Sequence, residues 1–518
     1  MSIYSQKPRW SKEMPKGKVL AVALGAAALF LTISSPAWAT GTALSPASEA
    51  GLVVPLLGSA LGFLVPIGVA LIAASGTPEE EAASMGLSFL LALGLAAFGY
   101  LACGFAFQFG GVGIVSELPG LRGLIWEWSP LDVAWGTGWG ALGLKGYFLT
   151  GPAATPESYA LFFSQLPLVT TAVLVPVLAL RRRTPFFVSV LGGLLMSVVI
   201  YPLAGNWALG GGWLANLGRN LGLGHGYVDF IGSGLANLLA ATMALSGLVA
   251  FGLARRERVS SHEGESYVPM PTAHLPLLAV LGSLLLLVGW LGLAFGNPLV
   301  GVSALGAGQF SPAVVAVNLA LAAAGGAMLA VLYSWFTTGA PDVLMSPRGA
   351  LAGLVAVSAG AAFIPAWAAL LLGTLVGLFL PPVHYAVERV LRLDDAPAAL
   401  AAHGWPALVG LLAVGLFADG RYGQGWNGVG ASEYLGVAGQ GVSGLWTAPG
   451  FQAEWPAQFQ AQLVGVVAAL VLAFALGWLL FATLRRLIEA WQGTALQPTS
   501  TPEVASPAGA LDVDQAVS

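Results

Sequence analysis

Apolar residues along this 518-residue chain come in solid blocks rather than in alternation with polar ones. Most blocks run for about 18 residues or more, the length at which a helix crosses roughly 30 Å of hydrocarbon. Broken at charges, prolines and glycine-rich turns, they predict eleven spans: 51–74, 86–109, 158–180, 185–203, 228–254, 273–296, 311–337, 348–364, 366–391, 399–418 and 460–485. A transmembrane β-barrel would instead read as roughly ten-residue segments with a polar residue at every second position. The pattern therefore predicts an all-α polytopic membrane protein. Between the spans lie two long stretches rich in Gly and Trp, 110–157 and 419–459, predicted as loops outside the membrane. Trp126, Trp128, Trp135 and Trp139 in the first are expected to rest on the headgroup layer or on a neighbouring subunit.

The ends read differently. A basic stretch from Lys7 to Lys18, an apolar run from Val19 to Ser34 and the small-x-small Ala37-Trp38-Ala39 predict a signal peptide over 1–39. The mature chain is then expected to start outside the cytoplasm at Thr40, an uncleaved anchor being the alternative. Residues 491–518, Pro- and Ser/Thr-bearing from Gln497 onward, are expected to form a disordered cytoplasmic tail after a membrane domain of 40–490. With the N-terminus outside, eleven arginines fall in inner segments, among them Arg181, Arg255, Arg348, Arg389 and Arg485. Only Arg122, Lys145, Arg219 and Arg421 fall in outer ones, which predicts an N-out, C-in protein of the cell's inner membrane.

Composition agrees: 57% of residues are hydrophobic and 8% charged, a balance no water-soluble fold has. A net charge of −4 without a basic cluster speaks against nucleic acid as a partner. The single cysteine, Cys103, rules out a disulfide framework, a cysteine zinc site and an iron–sulfur cluster, and reads as a packing residue. No nucleophile–base pair or metal-ligand cluster stands out, so the chain is not expected to be an enzyme or to hold a cofactor or metal.

Ionisable groups inside spans are costly and mark the places to look for function. Asp229 is followed eight residues on by Asn237, and Asp395 eight residues on by His403. Eight residues of helix place the second group about 12 Å deeper, rotated by about 80°. Five spans separate the two copies, so they enter from opposite sides, as in an inverted repeat with its site near the midplane. Asn237 and His403 are predicted to face each other across a pore; a packed histidine and a helix–helix hydrogen-bonding amide are the alternative. Asp229, Asp394 and Asp395 also fit as helix caps. His384 and His262 are expected to be solvated, and Gly210-Gly211-Gly212 to form a tight turn.

Several ordered motifs resemble the ammonium transporter family, which includes the methylammonium permeases and Rhesus proteins. They are Gly210-Gly211-Gly212-Trp213-Leu214-Ala215 leading to Asp229 and Asn237, the stretch Arg348 to Gly360, and Leu391 to Asp395 running on to His403-Gly404. Gly289-Trp290 and the run Cys103 to Gly110 add to the resemblance, which covers roughly 50–490. It implies eleven helices as a 5+5 inverted repeat plus a C-terminal helix, a narrow pore in each subunit of a homotrimer, and transport of ammonium or ammonia. It also implies a cytoplasmic nitrogen-regulatory protein as partner. By the resemblance, Asp229 shapes an outer vestibule, and His403 takes the place of the second of two facing histidines.

The departures gather at the same site. Asn237 stands where the family has the first histidine. Phe163 matches a vestibule phenylalanine, but Pro167 and Leu293 stand at the two gate phenylalanines. Leu209 stands at a vestibule tryptophan, with Trp207 two residues away, and Asn297 near a vestibule serine. The sequence thus leaves three readings: an ammonium channel with a divergent pore, a transport-inactive homologue acting as a structural or sensing subunit, or a channel for another small solute.

Overall fold

The computed structural model describes residues 51–251, 276–299 and 310–495, apart from 77, 78, 182, 394 and 396. The expected signal peptide, His262, Asp394 and most of the tail lie outside the described residues. The described chain is predominantly helical. Among the described residues, ten helices are long and apolar enough to cross a membrane: α1 (Val53–Ser75), α2 (Met85–Ile114), α3 (Pro156–Leu180), α4 (Phe186–Leu209) and α5 (Ser233–Ala250) in the first half. In the second come α6 (Pro276–Gly296), α7 (Pro312–Thr338), α9 (Ala366–Val390), α10 (Ala399–Phe417) and α11 (Ala457–Trp491). Between α7 and α9 lies the shorter α8 (Met345–Ser358), whose side chains are nearly all buried.

Burial separates an inner set from an outer one. α3, α5, α8 and much of α10 are enclosed by protein, whereas the outer helices keep an apolar stripe exposed. On α11 that stripe is Leu463, Val467, Val471 and Leu479, spaced in multiples of four. A row at i, i+4, i+8 lies along one helix face, which is what a lipid-facing helix requires. α7 packs along α8 and α9, α6 along α1, and α5 along α11.

Without a hydrophobic drive between helices in lipid, close approach depends on small residues. Where α7, α8 and α9 meet, Gly326 of α7 abuts the Gly349 carbonyl of α8, and Gly377 of α9 abuts the Gly326 carbonyl. A side chain at any of these would overlap backbone rather than a yielding side-chain tip. Gly326→Val is therefore expected to destabilise the protein by about 3 kcal/mol or more, the upper range for overpacking. A thermal unfolding midpoint unchanged from the native protein in the same detergent would show that this junction gives way easily.

The two expected outer loops lie on one face. Asn220 Nδ2 donates to the carbonyl of Gly138 in the first, while Asn427 of the second donates to the His225 carbonyl. Within the first, β1 (Glu127–Trp128) pairs antiparallel with β2 (Leu142–Gly143). Trp126, Trp128 and Trp135 are more than half exposed, but Trp139 is buried, its ring centroid 5.2 Å from that of Trp135, which corrects its reading as a surface anchor.

Candidate functional site

The site is built from two helix starts that use the same local chemistry. The expectation of continuous helix from Asp229 to Asn237 and from Asp395 to His403 is not met: α5 starts at Ser233 and α10 at Ala399. Each aspartate instead folds back onto the first free amides of the helix that follows. Asp229 Oδ2 accepts from the backbone N–H of Gly234 at 2.9 Å and of Leu235 at 3.0 Å. Asp395 Oδ1 accepts from Ala399 N–H at 2.6 Å, and Oδ2 from Leu400 N–H at 2.8 Å. A carboxylate placed there satisfies orphan donors and complements the positive helix end.

The reversal that allows this is a left-handed residue just before each helix, Gly232 at φ +89° and Ala398 at φ +58°. Glycine takes that conformation freely, whereas alanine pays strain for it. Both helices then open with a wide π-type turn, Ser233–Leu238 and Ala399–Gly404, a feature that recurs at functional positions in helices. Every element of the first start recurs 166 residues later, including the pair Asn237 and His403.

These two side chains meet. His403 Nδ1 lies 2.7 Å from Asn237 Oδ1, with both residues almost fully buried. Asn237 Nδ2 points back to the Gly232 carbonyl at 3.4 Å. A carbonyl needs a donor, so this contact orients the amide with its oxygen toward the imidazole. Nδ1 then carries the hydrogen, and a neutral His403 keeps its Nε2 lone pair.

The start of α5 is tied to α8. Phe230 N–H donates to the Ala359 carbonyl at 3.2 Å, Ile231 N–H to Ser358 at 3.1 Å, and Ser233 Oγ to Val355 at 2.9 Å. Trp290 of α6 donates through Nε1 to Ser358 Oγ at 2.6 Å, so three helices fix this entrance.

The other candidate residues spread over two neighbourhoods. The Phe163 ring lies 5.6 Å from that of Phe63, tilted by 48°. Pro167 and Leu293 come together over Gly62, where an added Cβ would lie 3.2 Å from Pro167 Cγ and 2.8 Å from Leu293 Cδ2. Asn297 Oδ1 accepts from Leu299 N–H at 3.0 Å and so turns the chain beyond α6. Trp207 belongs elsewhere: its Nε1 donates to the Ala141 carbonyl at 2.9 Å and its ring packs on Trp213, which fastens α4 to the first loop. Leu209, half-buried, ends α4 ahead of the glycine turn, where Gly211 takes φ +91°. His384, expected in solvent, is buried on α9 with Nε2 3.5 Å from Arg348 Nη1 and 3.6 Å from Glu388. α9 runs on past it, so the apolar flanks enclose it.

Sequence reasoning missed two groups beside the site. Phe230, next to Asp229, gathers Phe310, Phe363 and Trp426 around it at centroid distances of 5.3 to 6.4 Å. A buried chain of polar groups also joins α2, α3 and α4: Tyr100 OH donates to Gln108 Oε1 at 2.7 Å, and Gln108 Nε2 and Tyr201 OH both donate to Gln165 Oε1. The glutamines inside predicted spans were the available signal.

Fold and site together define a polytopic α-helical membrane protein with two capped helix starts meeting at a buried polar pair. The model of the Ammonium Transporter Family matches residues 53–494, and the chain belongs to that family. It is 30% identical over 82% of its length to 81% of the ammonium transporter Amt2 of Archaeoglobus fulgidus. It is 29% identical over 60% of its length to 71% of an ammonium transporter of Bacillus subtilis. Among solved structures it resembles a sensor Amt protein, at 22% identity and TM-score 0.65 over 85% of this chain and 94% of that one. Mep2 of Candida albicans aligns at 21% identity and TM-score 0.65 over 85% of this chain and 84% of that one.

Proposed function

We propose that the chain moves ammonium or ammonia across the cell's inner membrane along a path between α3, α5 and α10 that passes the Asn237–His403 pair. The observation that carries this reading is the 2.7 Å contact between Asn237 and His403, buried between two capped helix starts in a member of the ammonium transporter family. On this reading the recurrence at an offset of 166 reflects an inverted 5+5 repeat, with α11 added. The long loops face outward, the C-terminus lies in the cytoplasm, and the working unit is a homotrimer open to a nitrogen-regulatory protein from inside. α8 is the eleventh span.

Chemically, the pair offers an acceptor at Nε2 of His403 and no second imidazole to pass a proton on. Ammonium is distinguished from potassium by directional N–H bonds and by aromatic faces that replace its water. Here Pro167 and Leu293 supply no aromatic ring, and Pro167, lacking N–H, cannot donate to the Phe163 carbonyl one turn back. The path is therefore set up to discriminate weakly. The same departures favour a second reading, a transport-inactive sensing subunit.

Uptake into proteoliposomes separates the two. The native chain is expected to carry ammonium while taking up labelled methylammonium slowly or not at all, and Asn237→His alone is expected to fall short of rapid uptake because the gate positions stay altered. Absence of ammonium flux with and without an imposed potential would establish the inactive reading. Rapid, potassium-insensitive methylammonium uptake by the native chain would overturn this account of the pore.

A further inference from the structure

Away from the Asn237–His403 pair, the first outer loop roofs a cavity of about 500 Å³. Its floor includes Ile114, the last residue of α2, and Gly211, two residues beyond the end of α4. Both helices stop being apolar there, so the cavity sits where hydrocarbon gives way to headgroups. One wall is apolar and open: Ile114, Val115, Ile125 and Trp126 are 61%, 48%, 57% and 62% exposed.

The remaining lining carries charges of both signs. Glu127 Oε1 accepts from Asn206 Nδ2 at 3.0 Å, with Ser129 hydrogen-bonded to the same carboxylate, and Asp132 Oδ1 accepts from Trp139 N–H at 2.9 Å. Burial, with the Asp132 charge adding to it, pushes the Glu127 carboxyl above its ordinary range, a tension that a cation in the cavity would relieve. Asn216 is 5% exposed, and its Nδ2 is taken by the Gly211 and Gly212 carbonyls, so it presents Oδ1 as an acceptor. Arg219 lines the same cavity and is exposed. Among the described residues, neither acid is ion-paired with a cation and Arg219 is not ion-paired with a carboxylate.

We propose that this cavity is a binding site for the headgroup of a zwitterionic phospholipid bearing a primary ammonium. The ammonium meets Glu127, Asp132 and Asn216, the phosphate meets Arg219, and the glycerol and first acyl carbons cover the exposed wall. A primary ammonium offers three N–H donors to this set of acceptors, whereas a trimethylammonium offers none. Arginine suits a phosphate because its planar fork matches the oxygens. A lipid is the occupant because the apolar wall lies at the bilayer surface, where a water-soluble headgroup would leave it bare.

The test is lipid retention by the full-length chain, purified in detergent and equilibrated with equal amounts of phosphatidylethanolamine, phosphatidylcholine and phosphatidylglycerol, and read by native mass spectrometry. The native chain is expected to retain phosphatidylethanolamine about tenfold over phosphatidylcholine, the scale of charge-assisted hydrogen bonds gained or lost. Glu127→Gln combined with Asp132→Asn is expected to abolish that preference. Arg219→Gln, at an exposed position, is expected to lower retention of all three lipids. Equal retention of the first two lipids by the native chain would overturn the proposal, as would retention of all three lipids left unchanged by Arg219→Gln. Displacement by water-soluble glycerophosphoethanolamine as effective as by the lipid would overturn the assignment to a lipid.

Discussion

Glu454→Ala is expected to lower the unfolding free energy by about 3 kcal/mol, since it leaves the buried His225 ring and the Ser443 donors without their acceptor. Glu454 Oε1 lies 2.8 Å from His225 Nδ1, with the two side chains 1% and 0% exposed. The same oxygen accepts from Ser443 N–H at 3.2 Å and from Ser443 Oγ at 3.0 Å. One turn on, Gln458 Oε1 accepts from His225 N–H at 2.8 Å while its Nε2 donates to the Gly226 carbonyl at 2.9 Å. Three stretches far apart in sequence are thereby pinned together: the approach to α5, the second outer loop and the start of α11. Glu454→Gln keeps an acceptor on Ser443 and is expected to cost less than half as much. Thermal unfolding of the two variants in one detergent checks this, and equal midpoints for Glu454→Ala and the native chain would show that the loop is held by other contacts. Asp229 is four residues from His225, so loosening this clasp is also expected to unsettle the cap of α5.

What could be read from the sequence follows from what each signal rests on. Spans were legible because hydrocarbon demands length and apolarity of every crossing segment, and ten of the eleven predicted spans coincide with long helices. The start of α5 falls at Ser233 rather than at the predicted 228 because a left-handed residue before a capped helix leaves no periodic trace, whereas α10 starts at the predicted Ala399. Asn237 and His403 could be singled out because a polar group in an apolar block is conspicuous. His225 and Glu454 could not: they lie in stretches read as loops, 229 residues apart, where charged residues are ordinary. The position of Trp207 was lost for a related reason. The resemblance put it near a vestibule, whereas its indole N–H is claimed by the carbonyl of Ala141 in a loop whose fold no spacing rule gives.

His403→Ala is expected to reduce ammonium flux through proteoliposomes by about ten- to a hundredfold. The left-handed turn at Gly232 exposes a carbonyl that Asn237 Nδ2 approaches at 3.4 Å. That orients Oδ1 toward His403 Nδ1, 2.7 Å away, and so assigns the ring hydrogen to Nδ1 and the lone pair to Nε2. A solute that has shed water then meets one acceptor held by a hydrogen bond behind it. Removing the ring deletes that acceptor and orphans Asn237 Oδ1 as well, a loss of about 1–3 kcal/mol, which as a barrier is roughly one to two decades in rate. Asn237→Leu separates the two effects: it leaves the imidazole but frees its tautomer, so Nε2 bears hydrogen part of the time and the flux is expected to fall by only a fewfold. His403→Gln, which keeps an acceptor but no ring, is expected to fall between them. If His403→Ala carries ammonium at the native rate while the native chain itself transports, the solute bypasses the pair and the path lies elsewhere among the helices.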